Sequence, residues 1–434
     1  MSALTAFGRA TARRRPLLAA VAGLALLASA AAVASGPASA ATTSKVWGAP
    51  VTYGTVVSID DGDTVVVRVD GDDPTTVAPV HVRNAGIQTM EKGTCHAAQA
   101  SAAMAQQAPV GKRVRMSLSN PAMSSLGRPV RFVDAWNGSA WVDTQLPMLK
   151  AGHALPMPGA GGDTSRWKAY EVAAQQAAKA RTNLWDTDFC GSGPSQTTPL
   201  RTWVNSDGNL DESKDPNQEW VRVLNTSGTA LSLKGWALRT GGQDSYFFPS
   251  TAVVPAGGMT TLFVGTGTNT TTRLYWGSAK SKFSNTNGTT VPGSGVYLYD
   301  PQGDVRAWSM YPCLYACTDP LVGKVTMTAK ADAPGTDATN LNGEYVTVRP
   351  AGAYSVDVSY RVMSAFGHTY EFPKGSVVRP GELLVLRSGT GTSTRLTRYW
   401  GSATPLLANA GGTAVLRTPE NVRVGCIGWG TGRC

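Results

Sequence analysis

The sequence is poor in charge and in long apolar runs. Only 16% of its 434 residues are Asp, Glu, Lys or Arg, against 42% apolar. That balance excludes a highly charged disordered tail and a coiled coil. Beyond the first forty residues no stretch is long and apolar enough to span a bilayer, so no membrane anchor is expected after them. The six cysteines show none of the usual zinc spacings, since their close pairs read C-x3-C and C-x7-C. From Ser192 onward helical periodicity is almost absent, and no acid pair, Ser/His/Asp set or metal cluster stands out. What is abundant is Gly and Pro, 48 and 26 residues, which favours loop-rich β structure.

The first forty residues read as an address. Arg9, Arg13, Arg14 and Arg15 precede an Ala/Leu-rich run from Leu17 to about Val33, and Ala38-Ser39-Ala40 offers a cleavage site before Ala41. A signal peptide over 1–40 and a secreted or cell-surface protein are expected; the twin-arginine look of Arg14-Arg15 is too loose to choose an export route. Cleavage would leave a net charge of +6, with +1 on residues 41–191 and +5 on residues 192–434. In an oxidising compartment the even set Cys95, Cys190, Cys313, Cys317, Cys426 and Cys434 reads as disulfides. Six cysteines allow 15 connectivities, and the spacing alone does not choose among them. A Cys95–Cys190 bridge would close the first half on itself, and the later pairs would lock the ends of tail segments.

Apolar β-branched runs over 51–59 and 64–69, parted by Asp60-Asp61-Gly62-Asp63, predict a hairpin, and a third strand follows at 77–82. An Ala-rich helix is expected over 96–107, strands over 110–118 and 130–136, a short helix over 142–151 and a longer one over 165–181. Five strands with interleaved helices fit a small OB-type barrel, an α+β arrangement. A polar linker is expected at 192–199. Beyond it Glu219-Trp220-Val221 recurs as Glu344-Tyr345-Val346, Phe248-Pro249 as Phe372-Pro373, Gly265-Thr266-Gly267 as Gly389-Thr390-Gly391, and Tyr275-Trp276-Gly277 as Tyr399-Trp400-Gly401. The offsets of 125, 124, 124 and 124 residues indicate a duplicated domain, over 200–317 and 322–434, each copy a β-sandwich candidate.

The polar residues of the first region cluster at Asp60–Thr64, at Arg83–Glu91 and at Gly127-Arg128. Hydrolysing a phosphodiester needs a group that orients or deprotonates water, and cations aimed at the charge growing on the phosphorane oxygens. Asp61-Gly62-Asp63-Thr64, Arg83 through Glu91, Gly127-Arg128 and Leu184-Trp185, in that order, resemble the staphylococcal nuclease-like (thermonuclease) family over residues 47–191. The resemblance implies an OB-fold nuclease using Ca2+. Asp63, the Thr89 carbonyl and Gln88 would hold the metal, Arg83 and Arg128 would bind the scissile phosphate, and Glu91 would serve as general base or position the attacking water. Two departures stand out. Gln88 occupies the place of the family's aspartate ligand, which removes a negative charge from a hard-cation site, and Met90 replaces a proline. The tyrosines that stack a base in the family are also absent, before Gly127 and after Gly152-His153-Ala154-Leu155.

Both tail copies resemble the lamin-tail domain, an immunoglobulin-like sandwich. The first carries the fuller pattern, including Leu233-Lys234-Gly235-Trp236, where the second has Tyr360-Arg361. Together these readings predict a secreted, Ca2+-assisted nuclease of low sequence preference, with DNA, and RNA by the same phosphate chemistry, as substrate. The two tail domains would tether it to nucleic acid or to an acidic cell-wall polymer. The alternative is an exported nucleic-acid- or cell-wall-binding adhesion protein on a nuclease fold that no longer cuts.

Overall fold

The computed structural model describes residues 43–159, 162–191, 198–206, 214–286, 290–319, 321–373, 375–418 and 422–434. The expected leader and residues 192–197 of the expected linker lie outside the described residues.

The first region runs β1 (Val51–Asp61), β2 (Thr64–Val69), β3 (Val80–Asn84), β4 (Ile87–Gln88), α1 (Ala97–Gln107), β5 (Arg113–Ser117), β6 (Ser124–Ser125), β7 (Arg128–Trp136), β8 (Trp141–Asp143), α2 (Gln145–Lys150), β9 (Leu155–Pro156) and α3 (Trp167–Ala180). Strands pair in the order β3-β2-β1-β5-β7, and a parallel β3–β7 contact closes them into a five-stranded barrel. The β-branched run 64–69 supplies Val65 and Val67 to the interior, where they meet Val56, Val82, Val114 and Met104 of α1. Element bounds differ most from the sequence reading at three places. The strand expected from 110 begins at Arg113, because Gly111 turns the chain at φ 84°. The helix expected from 142 begins at Gln145, because 141–143 pair with β7 and the Asp143 carboxylate accepts from the Gln145 and Leu146 amides at 2.7 and 3.0 Å. The third strand starts at Val80 and reaches Asn84, which carries Arg83 to the barrel rim.

Two further two-sheet units follow. The first comprises β10 (Leu200–Asn205), β11 (Trp220–Asn225), β12 (Leu231–Ser232), β13 (Ala237–Thr240), β14 (Ser245–Phe247), β15 (Val253–Val254), β16 (Met259–Phe263), β17 (Arg273–Tyr275), β18 (Ser294–Tyr299) and β19 (Val305–Tyr311). The second comprises β20 (Val325–Lys330), β21 (Tyr345–Pro350), β22 (Val356–Asp357), β23 (Val362–Ala365), β24 (His368–Glu371), β25 (Val377–Val378), β26 (Leu384–Arg387), β27 (Thr397–Tyr399), β28 (Gly411–Arg417) and β29 (Arg423–Gly430). The four-stranded sheets are ordered β10-β11-β16-β17 and β14-β13-β18-β19 in the first, and β20-β21-β26-β27 and β24-β23-β28-β29 in the second. Each unit has its own core, built on Trp236, Leu238 and Val296 in one and on Met363, Phe372 and Leu416 in the other. The repeat in sequence is therefore a repeat in topology.

The joints between these parts are extensive. All six residues of β18 are buried: Val296 and Leu298 face their own core, while Tyr297 and Tyr299 enter the core of the barrel region. There Trp185, with no exposed surface, packs at ring distances of 5.9 Å from Tyr297 and 5.1 Å from Trp308. Gln175 of α3 donates to the Pro312 carbonyl at 3.0 Å and accepts from the Leu314 and Tyr315 amides. The disulfides are Cys95–Cys190, Cys313–Cys317 and Cys426–Cys434, a set compatible with an extracellular protein. Among the described residues no helix is long and apolar enough to cross a membrane.

Candidate functional site

The β1–β2 turn, β3, β4 and the start of β7 bring six residues to one end of the barrel: Asp63, Arg83, Gln88, Thr89, Glu91 and Arg128. Gly62 makes the approach possible. A Cβ there would sit 2.7 Å from both Ala100 Cβ and Thr89 Cγ2, so only glycine lets the turn press against α1 and the 88–91 segment.

The six residues are joined through Thr64 in one hydrogen-bonded chain. Arg128 Nη1 donates to Thr64 Oγ1 at 3.1 Å, and Thr64 Oγ1 in turn lies 3.3 Å from Asp63 Oδ1. Asp63 is held on both oxygens: Oδ2 accepts from the Thr89 amide at 2.7 Å and the Thr89 hydroxyl at 3.1 Å, while Oδ1 meets Arg83 Nε at 3.2 Å. Arg83, 4% exposed, gives Nη1 to the Asn84 carbonyl at 2.6 Å and Nη2 to Gln88 Oε1 at 2.5 Å. Gln88 Nε2 then donates to the Thr89 carbonyl at 3.0 Å and to Glu91 Oε1 at 3.2 Å. Burial dominates the electrostatics of the inner pair. It pushes the Asp63 carboxyl up despite Arg83 and the Thr89 bonds, and pulls the Arg83 guanidinium down against the attraction of Asp63.

The orientation of the Gln88 amide follows from its neighbours. Turned the other way, its oxygen would face the Thr89 carbonyl and the Glu91 carboxylate, and its NH2 would face the Arg83 donors. The Ca2+ set implied by the resemblance does not fit this arrangement. The Thr89 carbonyl, both Asp63 oxygens and the Gln88 oxygen already have N–H or O–H partners, and Gln88 brings no charge. The amide Nε2 sits between the two oxygen acceptors, Thr89 O and Glu91 Oε1, that would otherwise face a cation.

Residues 204–312 match the lamin tail domain family. No curated protein matches the chain. The lamin tail domain so defined spans the first two-sheet unit, and it reaches the barrel site. Its β13–β14 turn brings Gln243, at φ 75°, so that Nε2 donates to Gln88 Oε1, and β13 brings Arg239 Nη2 to 3.6 Å from Glu91 Oε1. Sequence reasoning missed both residues, since nothing in their local pattern marks them; only the docking of β18 on the barrel brings them there. Sequence reasoning also left Tyr360-Arg361 as a mere departure from the repeat. In the structure these two join the units: Tyr360 packs 5.8 Å from the Trp203 ring, and Arg361 lies over Trp203 and pairs with Asp319 at 2.8 Å. Arg222, stacked on Trp220 at 3.7 Å, pairs with Glu371 at 2.7 Å across the same joint.

His153 lies half-buried with its ring lowered in pKa by burial. His96 is buried beside the Cys95–Cys190 bridge, stacked 4.2 Å from Phe189 and pulled down to about 4. The cluster Cys95, His96 and Cys190 has metal-like proximity, but both sulfurs are committed to the disulfide.

Proposed function

We propose that this is an exported nucleic-acid-directed protein whose nuclease-like OB barrel binds phosphodiester chains rather than cutting them, held beside two lamin-tail-like sandwiches. The observation that carries this reading is the Gln88 amide lying between the Thr89 carbonyl and Glu91, with its oxygen taken by Arg83. A hydrolytic site needs Glu91 free to orient water and a cation to stabilise the phosphorane. Here Glu91 Oε1 is engaged by an amide and a guanidinium, and the metal ligands are satisfied internally. Among the described residues the hydrogen-bond partners of Arg128 are the neutral Thr64 and Ser125, which leaves a positive edge to the site. The expected +6 of the exported chain supports salt-sensitive attraction to a polyanion.

The test is fluorescence anisotropy with a labelled single-stranded DNA oligonucleotide, run beside plasmid cleavage, each with Ca2+ and with EDTA. Binding that weakens with salt, does not depend on metal and is unaccompanied by cleavage is the expected result. Cleavage that needs Ca2+ and disappears in Glu91→Gln would overturn it. That outcome belongs to the second reading, a Ca2+-assisted nuclease, which the convergence of Arg83, Arg128 and Glu91 at one barrel end favours. An exported protein that binds a cell-wall polymer instead would not retain the oligonucleotide in the same assay.

A further inference from the structure

We infer that the lamin tail domain completes the barrel site. Arg239 takes the electrostatic place of a divalent cation beside Glu91, and Gln243 seals the Gln88 oxygen, so the site is composite and metal-independent. The inference deepens the binding reading above and rests on it for its purpose, although its test does not.

The placement of Arg239 follows from the sheet. On β13, Leu238 is fully buried in the domain's own core. Its neighbour Arg239 therefore points to the opposite face, and it pairs across the ladder with Tyr297. That is the face whose Tyr297 and Tyr299 lie in the barrel core. The guanidinium carrier is thus fixed by a buried joint rather than by a loose surface loop. Arg239 is 17% exposed and Glu91 68% exposed on their side chains, so the pair lies at the mouth of the site, while Arg83 forms its floor.

Charge accounts for the consequence. Arg83 feels Asp63, Asp61 and Glu91 as attractive neighbours and Arg128 as a repulsive one. With Arg239 added, three guanidiniums face three carboxylates. A divalent ion entering this balanced set would bring two positive charges that no excess carboxylate compensates, close to fixed cations. Without Arg239 the same cluster carries one excess negative charge.

The test is calorimetric titration of Ca2+ alone into the full exported chain, so that it needs neither DNA nor cleavage. Wild type and Gln88→Asp are expected to take up no Ca2+, or only weakly in the second case. Gln88→Asp combined with Arg239→Met, which keeps the aliphatic stem, is expected to bind Ca2+ at least about tenfold more tightly than Gln88→Asp alone. Gln88→Asp combined with Arg239→Lys keeps the charge and should behave like Gln88→Asp. Should the Met combination unfold, Gln88→Asp with Arg239→Gln serves in its place. The Ca2+-induced rise in melting temperature of each variant over its own apo form gives a second readout. Equal Ca2+ affinity with and without the Arg239 change, or wild-type binding that Asp63→Asn abolishes, overturns the inference. Failure of the DNA assay with the Ca2+ pattern intact would overturn only the binding reading.

Discussion

Glu171 offers the sharpest quantitative prediction. It lies on α3, against the joint with the lamin tail domain, 1% exposed, with Oε1 accepting from Gln175 Nε2 at 2.9 Å and no partner on Oε2 among the described residues. Burial pushes its carboxyl up to about 8 from an ordinary 4.5. Between those two values the folded chain holds a proton that the unfolded chain has released, so stability falls as pH rises through this window. The loss amounts to about 3 kcal/mol at pH 7 and approaches ~5 kcal/mol above pH 8, taking ~1.4 kcal/mol per pH unit. Glu171→Gln keeps the volume and the acceptor for Gln175 while removing the titration. Urea unfolding followed by tryptophan fluorescence, where Trp185 beside the joint reports, should show the variant little different from wild type at pH 5. By pH 7 it should be more stable by roughly 2–3 kcal/mol. A difference between the two proteins that stays constant from pH 5 to pH 8 would refute a proton held on Glu171.

Other consequences can be measured on the same protein. Removing the Cys95–Cys190 bridge, which spans 95 residues, is expected to cost about 4–5 kcal/mol by loop-closure entropy, read from denaturation of the double Cys→Ser variant against wild type. Gly62→Ala forces a Cβ to 2.7 Å from Ala100 and Thr89, so the barrel should lose roughly 1–3 kcal/mol in the same assay. Arg222→Leu leaves Glu371, whose carboxyl burial already pushes up, without its partner at the joint of the two-sheet units. A loss of about 2 kcal/mol is expected, below the 3–5 of a fully buried pair because Glu371 is 29% exposed, and a double-mutant cycle with Glu371→Gln isolates the coupling. His96, pulled down to about 4, stays neutral in the fold while the unfolded chain gains a proton below pH 6.5. Acid should therefore destabilise wild type more than His96→Phe between pH 6.5 and 4, by pH-dependent melting.

Much of the architecture was legible because it rests on local signals. The run TVVVRV and the Asp-rich turn before it define β1–β2, and the Ala-rich segment after Cys95 defines α1. The offset of 124–125 residues declares two units that prove to share one strand order. The element starts were less legible where a single side chain decides them, as Asp143 does for α2. At the site, residues 63, 83, 88, 89, 91 and 128 were readable from motif order, and the structure does bring them together. What no local pattern carries is their partnering. Whether the Gln88 carbonyl faces a cation or an arginine depends on side-chain geometry, and Arg239 lies about 150 residues downstream on a strand whose outward face looks like ordinary sheet surface.

The glutamine at 88 and the docked lamin tail domain thus bear on one another. Exchanging an aspartate for Gln88 removes a negative charge from the barrel end, and docking the lamin tail domain adds a positive one at Arg239. Both changes move the cluster away from accepting a divalent cation, and both are linked through Gln243, whose amide donates to the Gln88 oxygen. An aspartate at 88 would face Arg83, Gln243 and, through the same end of the barrel, Arg239, and could not hold a cation there without competing with all three. The docked domain therefore reinforces the loss of the acid, since each raises the charge of the cluster by one. In the same way, a barrel carrying both acids would have to loosen the β13–β14 turn before a metal could enter. The docked sheet, with Tyr297 and Tyr299 buried in the barrel core, opposes that loosening. Glu91→Ala should accordingly leave the joint intact but free Arg239, and binding of the labelled oligonucleotide should tighten by several-fold with a steeper salt dependence. Unchanged affinity would place the phosphate contacts elsewhere on the chain.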